Sequence, residues 1–178
     1  LMPQTRAGRA GFQPVLMNIR RIAELRGVSP TRNALRIGAL TTISELRDSD
    51  LVRSRFNALW QSCDQFASDQ VRNAGTIGGN VCNASPAGDT LVPLLVLDAH
   101  VVLASQPNGS IDTRAMPLAE FLVGPGRTRR AANELLVAIE APWPPPGFES
   151  RFFKFGTRPA LDISTVSIGL GAVAAGNA

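Results

Sequence analysis

The sequence has 178 residues, of which 44% are hydrophobic and 18% are charged, and this composition argues against a disordered chain and allows a substantial core. No apolar run reaches the roughly 18 residues that a membrane-spanning helix needs, and no basic-then-apolar secretory leader opens the sequence. We therefore expect a cytoplasmic globular protein of one domain, or of one domain and part of another.

The formal net charge of +4 raises the question of nucleic-acid binding. The arginines are dispersed, and no aromatic residues are interleaved with them as a stacking platform would require. The densest group, Arg127-Thr-Arg-Arg130, follows Gly124-Pro-Gly126 and is typical of a solvated loop, or of a loop that docks to an acidic partner subunit. A basic nucleic-acid-binding domain is therefore the weaker alternative.

The cysteines and the single histidine restrict the available chemistry. Cys63 and Cys82 are far apart and form no C-x-x-C pair, so this chain alone cannot build a zinc site or an iron–sulfur cluster. Two isolated cysteines in a sequence without a leader favour packed thiols over a disulfide. His100 has no nucleophile beside it in the sequence, and it is predicted to lie at the end of a strand.

In chain order, the first predicted elements are a short buried strand at 14–19 and a helical turn at 20–25 that ends near Gly27. A strand is predicted at 34–40. Thr42-Ile-Ser-Glu45 has the spacing of a capping box and predicts the start of a helix. A later helix is predicted from apolar residues at helical spacing, namely Phe56, Leu59, Trp60 and Cys63.

The second half of the sequence predicts one buried helix at 90–98, which Asp89 could cap and whose first turn accommodates Pro93. Asn108-Gly109 predicts a hairpin turn between two strands. The remaining predicted elements are strands at 100–105, 111–116, 135–139 and 151–155, and a short helix at 118–122. A proline-rich run at 142–146 indicates a boundary.

Small and polar residues are concentrated between Val71 and Asp89. The glycines of this stretch leave few Cβ atoms in the way, so main-chain N–H groups can approach a ligand closely. Glycine amides beside hydroxyl groups can form a concavity for phosphate oxygens. The residues concerned are Gly75, Thr76, Gly78, Gly79, Asn80, Asn83, Ser85 and Gly88. The alternative is a plain turn between two packed elements.

Within that stretch, Thr76-Ile-Gly-Gly-Asn80 followed by Asn83-Ala-Ser-Pro-Ala-Gly-Asp89 resembles the second flavin-binding motif of the molybdenum hydroxylases, the family of xanthine dehydrogenase and carbon monoxide dehydrogenase. Three further stretches agree with that family in the same order, at 36–46, 134–140 and 152–156. Together they cover nearly the whole chain. The sequence is therefore identified as similar to the FAD-binding medium subunit of these enzymes, truncated at both ends.

The resemblance implies an α+β fold. Residues 1–146 would form the FAD-binding domain of the type found in molybdenum hydroxylases, with two α/β subdomains, and residues 147–178 would begin a small C-terminal α+β domain. An Ala-Gly-Gly-Thr-Asp-like loop that wraps the flavin pyrophosphate in the family would end about where Leu1 begins.

The resemblance also implies a binding site for the cofactor FAD. Its residues would be Thr76, Ile77, Gly78, Gly79, Asn80, Asp89, Leu136 and Lys154. The first five would lie along the dinucleotide, Asp89 would hold polar groups of the cofactor, and Leu136 would pack against a ring. Lys154 would lie near the polar edge of the flavin, where its charge favours the reduced ring. No catalytic residue and no metal ligand is implied.

The implied function is electron transfer. In the family, a molybdopterin-containing large subunit oxidises the substrate, a 2Fe-2S small subunit relays single electrons, and FAD delivers them to an external acceptor such as NAD, oxygen or a quinone. The sequence holds no G-x-G-x-x-G motif after a strand that would identify the acceptor. A flavin-free module that only holds partner subunits together is the main alternative.

Overall fold

A computed structural model describes residues 15–158 and 162–173. In these residues a mixed α/β structure forms, and its largest sheet is five-stranded and antiparallel. The strands are β1 (Val28–Pro30), β2 (Ala34–Gly38), β3 (His100–Ser105), β4 (Asp112–Pro117), β5 (Leu122–Gly124), β6 (Arg127–Thr128), β7 (Leu135–Pro142), β8 (Phe148–Phe155) and β9 (Val166–Val173). The helices are α1 (Ile43–Arg47), α2 (Asp50–Arg55), α3 (Asn57–Asp64), α4 (Asp69–Ala74), α5 (Ile77–Asn83), α6 (Leu91–Val96) and α7 (Leu118–Phe121).

The main sheet has the order β1-β2-β7-β3-β4, so β7 is its central strand. Ile139 of β7 is paired with Ile37 of β2 on one side and with Val101 of β3 on the other. These three side chains are fully buried. The hairpin predicted at Asn108-Gly109 is confirmed, because β3 and β4 pair antiparallel and Gly109 has a φ of 83° that suits glycine.

The helices begin where short polar side chains cap them. The capping box predicted at the start of α1 is confirmed, because Thr42 Oγ1 accepts from the Glu45 N–H at 3.2 Å and Glu45 Oε2 accepts from the Thr42 N–H at 2.6 Å. Ser49 and Ser68 cap α2 and α4 with their hydroxyl groups, which accept from the N–H groups of Val52 and Val71. None of the helices in the described ranges combines the length and apolarity that crossing a membrane requires.

One buried cluster joins the sheet to the helices. Its largest fully buried members include Leu35, Ile37, Ile43, Leu46, Phe56, Leu59, Ile77, Leu94, Leu103, Leu118 and Phe121. Each such side chain contributes about 1.5–3 kcal/mol through its removal from water. Of the residues predicted to be buried by α3, Phe56, Leu59 and Cys63 are buried, whereas Trp60 is half-buried and donates Nε1–H to the Arg47 carbonyl at 2.8 Å.

The last two described strands form a separate hairpin, in which β8 and β9 pair antiparallel from Phe148↔Val173 to Phe155↔Val166. This hairpin packs on α6, because a Cβ atom at Gly169 would lie 2.8 Å from side-chain atoms of both Val92 and Val96. The Ser150 hydroxyl also accepts from the Ala58 N–H of α3. The packing brings Lys154 of β8 over the start of α6.

Two predictions about individual elements are wrong. The segment 15–19 is irregular rather than a strand, and the side chains of Val15, Leu16 and Met17 are exposed; Pro14 lies outside the described residues. The backbone of this segment takes part in no strand pairing with the described part of the chain, so periodicity alone did not make it a strand. The helical turn that follows is confirmed as a 3-10 helix at Ala23–Leu25.

The second wrong prediction is the helix cap at Asp89. Helix α6 begins at Leu91 with Thr90 as its N-cap, and the Asp89 carboxylate contacts Lys154 instead. Pro93 does lie in the first turn of α6, as predicted. The division of the chain at residues 146 and 147 stays a prediction.

Candidate functional site

A cleft of about 560 Å³ lies beside the glycine-rich stretch. It is bounded by residues 17–20, by the turn after β2 at 39–42, by the first turn of α5, and by the segment 130–136 that leads into β7. Four of the eight predicted site residues line it, namely Thr76, Gly78, Gly79 and Leu136. These four residues thus share one cleft, whereas Ile77, Asn80, Asp89 and Lys154 are not part of its lining, and the assignment of all eight to one cofactor site stays a prediction.

The glycine-rich stretch is helical where the sequence suggested an open turn. Thr76 caps α5, and its Oγ1 accepts from the Gly79 N–H at 3.1 Å. The N–H groups of Ile77 and Gly78 donate to the carbonyls of Thr41 and Ala39, at 3.0 and 2.9 Å. The backbone N–H groups at the start of α5 are thus bonded within the protein. The predicted concavity of open amides is wrong, because the carbonyls of Thr41 and Ala39 and the Thr76 hydroxyl already accept from these N–H groups.

The two central glycines of α5 have different steric roles. A Cβ atom on Gly78 would lie 2.7 Å from the Ala39 carbonyl oxygen and 2.9 Å from Leu136 Cδ2, so a side chain here would push α5 away from β7. A Cβ atom on Gly79 would approach only Thr76 Oγ1, at 3.0 Å. Gly78 therefore permits close packing, and the exposed Gly79 leaves one face of α5 open to the cleft.

A buried ion pair forms a second part of the predicted site. Lys154 Nζ lies 2.7 Å from Asp89 Oδ2, and each side chain is only 8% exposed. Burial raises the pKa of the Asp89 carboxyl group, and the hydrogen bond and charge of Lys154 act against that rise. Asp89 Oδ1 is buried and has no hydrogen-bond partner among the described residues. It is a ready acceptor for an N–H donor of a ligand.

The remaining two predicted residues, Ile77 and Asn80, hold α5 in place rather than line the cleft. Ile77 is fully buried and anchors α5 in the core. Asn80 Oδ1 accepts from the Thr90 hydroxyl at 2.7 Å, so Asn80 ties α5 to the residue that follows Asp89. The eight residues therefore form a cleft-lining group and a buried pair, connected through Asn80.

Sequence reasoning missed the wall of the cleft that Arg130 and Glu134 form. Glu134 accepts from Arg114 Nε at 2.6 Å and Nη2 at 2.9 Å, and from the Ala131 N–H at 2.7 Å. These bonds, above all those from Arg114, lower the pKa of Glu134 to about 2. The sequence suggested that 127–130 is a solvated loop, so it did not predict that Arg130 lines the cleft. Only the fold brings this segment beside α5.

The site fits a flavin dinucleotide. The cleft has an open face over Gly79, an apolar wall at Leu136 and a volume of about 560 Å³, which is in the usual range for cofactor sites. The unpartnered oxygen of Asp89 and the cation of Lys154 supply an acceptor and a positive charge. No described group of histidine, cysteine and carboxylate side chains has the arrangement of a metal site.

Comparison with known proteins identifies the family to which this chain is similar. The family described as "FAD binding domain in molybdopterin dehydrogenase" matches residues 1–144. The chain is 35% identical over 153 residues to the xanthine dehydrogenase FAD-binding subunit of Escherichia coli O157:H7, covering 85% of this chain and 51% of that protein. It is also 35% identical over 159 residues to the nicotinate dehydrogenase FAD-subunit of Eubacterium barkeri, covering 88% and 52%.

Among solved structures, carbon monoxide dehydrogenase from Hydrogenophaga pseudoflava, in a form that lacks the Mo-pyranopterin moiety of its molybdenum cofactor, superposes with a TM-score of 0.83 at 32% identity. The superposition covers 93% of this chain and 56% of the matched chain. The chain spans about half the length of the two FAD subunits named above.

Proposed function

The chain belongs to the family of FAD-binding domains in molybdopterin dehydrogenases, and from this premise we propose that it carries the FAD of a molybdenum hydroxylase and transfers electrons to an external acceptor. The observation that carries the proposal is the cleft of about 560 Å³, whose lining includes Thr76, Gly78 and Gly79 of the stretch that resembles the family motif. The residues that would hold FAD are Thr76, Ile77, Gly78, Gly79, Asn80, Asp89, Leu136 and Lys154.

The chemistry that bound FAD supplies is the conversion of single-electron transfers into two-electron transfers. The protein's contribution is position and charge. The N–H groups of Ile77 and Gly78 donate to the carbonyls of Thr41 and Ala39, and these bonds fix α5 with its open face at Gly79 in place. Leu136 offers an apolar surface for a ring.

The Asp89–Lys154 pair would act on the electronics of the bound ring. Asp89 Oδ1 can accept an N–H, and the Lys154 ammonium stabilises negative charge that develops nearby on reduction. Because both groups are buried, their interactions are screened less by water than those of surface charges. The pair therefore favours the reduced state of the cofactor.

The names of the relatives support a division of labour among subunits. They are an FAD-binding subunit, an FAD-subunit and, in Hydrogenophaga pseudoflava, a medium chain of carbon monoxide dehydrogenase. We therefore propose that the chain works with a molybdopterin-containing large subunit and a 2Fe-2S small subunit in the cytoplasm. It would pass electrons to an acceptor such as NAD, oxygen or a quinone. Residues 1–146 would form the FAD-binding domain, and residues 147–178 would begin a C-terminal domain.

The experiment is FAD titration of the whole subunit, followed by flavin fluorescence quenching, for the wild type and Gly79→Val. A valine would fill the open face of α5 and lies against Thr76 Oγ1, so we expect at least a tenfold loss of affinity, equivalent to about 1.4 kcal/mol. The matched control is Gln70→Val, which places the same residue on an exposed position of α4 away from the cleft.

Equal FAD affinity of the Gly79→Val variant and the wild type would show that α5 is not part of the binding site. A whole subunit that takes up no flavin, alone or with its partner subunits, would replace the proposal with a flavin-free interaction module. Absorbance in the flavin bands after purification distinguishes these outcomes.

A further inference from the structure

Lys154 is the only lysine among the 178 residues, and the position of its charge depends on the strand that carries it. A lysine side chain is a flexible four-carbon stem that ends in a compact charge, so other contacts must fix where that charge lies. The ammonium donates to Asp89 Oδ2 at 2.7 Å and to the Gln65 carbonyl at 3.5 Å. The second distance is near the upper limit of a hydrogen bond, so the ion pair requires that β8 itself be held in place.

The inner face of β8 is formed by Ser150, Phe152 and Lys154. Ser150 and Phe152 are buried and the Lys154 side chain is 8% exposed, whereas the alternate residues Arg151 and Phe153 are exposed. Because successive side chains of a strand point to opposite faces, a shift of β8 by one residue would move Lys154 to the exposed face. The contact of Lys154 with Asp89 therefore requires one register of β8 on the structure beneath it.

Three hydrogen bonds join β8 to helix α3, at the first turn, the middle and the C-cap of the helix. The bonded pairs are Ser150 with Ala58 at 3.2 Å, Phe152 with Gln61 at 2.8 Å, and Lys154 with Gln65 at 3.5 Å. From the first contact to the last, the helix rises by about 10 Å and the strand by about 13 Å. The two elements therefore run side by side in the same direction, and α3 fixes the register of β8.

Gln61 supplies the central and shortest of these three bonds. Its Oε1 accepts from the Phe152 N–H, and Phe152 is only 2% exposed. A buried N–H that loses its acceptor is costly, so the Gln61 amide favours this register of β8 over a shifted one. Gln61 is not part of the described cleft lining, so its effect on a bound cofactor would pass through β8 and Lys154.

We propose that Gln61 is a positioning residue: its side chain fixes the register of β8, holds the Lys154 ammonium on Asp89, and thereby sets the reduction potential of the flavin. The inference rests on the proposed function, in which Lys154 lies near the polar edge of the flavin. It goes beyond that function because it assigns control of the potential to a residue on a helix outside the cleft lining.

The first measurement is the rate at which acetic anhydride acetylates Lys154 in the flavin-free whole subunit, followed by mass spectrometry of the peptide that carries it. Gln61→Met removes the acceptor but keeps a side chain of similar length, and we expect it to speed acetylation about fivefold or more, because the ion pair opens more often. Gln61→Glu keeps an acceptor oxygen and should stay close to the wild type. The matched control is Gln70→Met, at an exposed position of α4.

The second measurement is the midpoint potential of bound FAD in the whole subunit. Displacement of a nearby positive charge disfavours the reduced ring, so we expect Gln61→Met to lower the potential in the same direction as Lys154→Met and by less. In the Lys154→Met background, Gln61→Met should cause no further change, because the charge that it positions is gone. A purely structural role of Gln61 would not produce this dependence on Lys154.

The outcomes separate the positioning role from the proposed function. Unchanged acetylation in Gln61→Met, or equal acceleration by Gln61→Met and Gln61→Glu, would overturn the role of the Gln61 acceptor. An unchanged potential, or an equal fall with and without Lys154, would overturn its control of the flavin. A wild-type subunit that binds no FAD would instead overturn the proposed function itself, and the acetylation rates would still decide whether Gln61 holds Lys154 on Asp89.

Discussion

At the residue scale, the Asp89–Lys154 pair is the most constrained polar contact of the site. Both side chains are 8% exposed, and the Nζ–Oδ2 distance is 2.7 Å. Removal of one partner from a buried ion pair leaves an uncompensated charge, which typically costs more than the pair itself contributes. The pair therefore binds β8 to the start of α6 and is sensitive to substitution on either side.

We expect Lys154→Met to lower the free energy of unfolding by about 3 kcal/mol, because Asp89 would lose its counter-ion while staying buried. Urea unfolding followed by circular dichroism measures this loss. The double variant Asp89→Asn/Lys154→Met should be more stable than the sum of the single losses predicts, since neither charge remains. Strictly additive losses would contradict the assignment of the two groups to one interaction.

Glu134 predicts a dependence of stability on pH. Its folded-state pKa of about 2 lies below the ordinary value of 4.5, so its contribution to stability is present above pH 4.5 and is lost as the pH falls toward 2. We expect the urea midpoint of the wild type to fall across that range, and that of Glu134→Gln to fall less. Identical pH profiles of the two proteins would show that the Arg114–Glu134 pair does not form in solution.

At the element scale, local sequence was sufficient wherever the stabilising partners are close in the chain. Thr42 and Glu45 are three residues apart, and the capping box that they predict is present. Helix α5 was not predicted because its first N–H groups donate to Ala39 and Thr41, from which four helices, α1 to α4, separate it in the sequence. Backbone partners that are remote in sequence leave no local pattern to detect.

The capping box of α1 gives a prediction at this scale. We expect Thr42→Ala to lower the free energy of unfolding by about 1 kcal/mol, because the Glu45 N–H loses its acceptor. Thr42→Ser keeps the hydroxyl group and should retain most of the stability. Thermal unfolding of both variants checks the expectation, and equal losses for serine and alanine would attribute the effect to the lost methyl group.

Gly78 and Gly79 of α5 give a second prediction at the scale of the element. Gly78→Ala places a Cβ atom 2.7 Å from the Ala39 carbonyl oxygen and should destabilise the protein by about 1–3 kcal/mol. Gly79→Ala meets only Thr76 Oγ1, and alanine favours helix, so its loss should be clearly smaller. Urea unfolding compares the variants. If Gly79→Ala is the more damaging of the two, the close packing assigned to Gly78 is wrong.

At the scale of the whole molecule, the site depends on segments that the sequence separates. Lys154 meets Asp89 across 65 positions, and Glu134 meets Arg114 across 20. The family resemblance could predict that Asp89 and Lys154 belong to one site, but no spacing rule connects them. The wall of the cleft that Arg130 and Glu134 form was missed for the same reason, because these residues meet the rest of the lining only in the folded chain.

The β8–β9 hairpin carries Lys154 of the Asp89–Lys154 pair. Its packing on α6 depends on Gly169. A Cβ atom there would lie 2.8 Å from side-chain atoms of Val92 and Val96, so Gly169→Val should lift the hairpin from α6 and loosen the Asp89–Lys154 contact. We expect faster hydrogen exchange across β8 and β9, and weaker FAD binding in the whole subunit.

Leu170→Val is the matched control for Gly169→Val, because its side chain is 57% exposed on the adjacent strand position and meets no such obstacle. It should leave exchange rates and FAD affinity close to those of the wild type. Faster exchange in both variants would show that the hairpin is sensitive to any change in β9. Unchanged exchange in Gly169→Val would mean that α6 does not hold the hairpin, and that Lys154 reaches Asp89 by the strength of the ion pair alone.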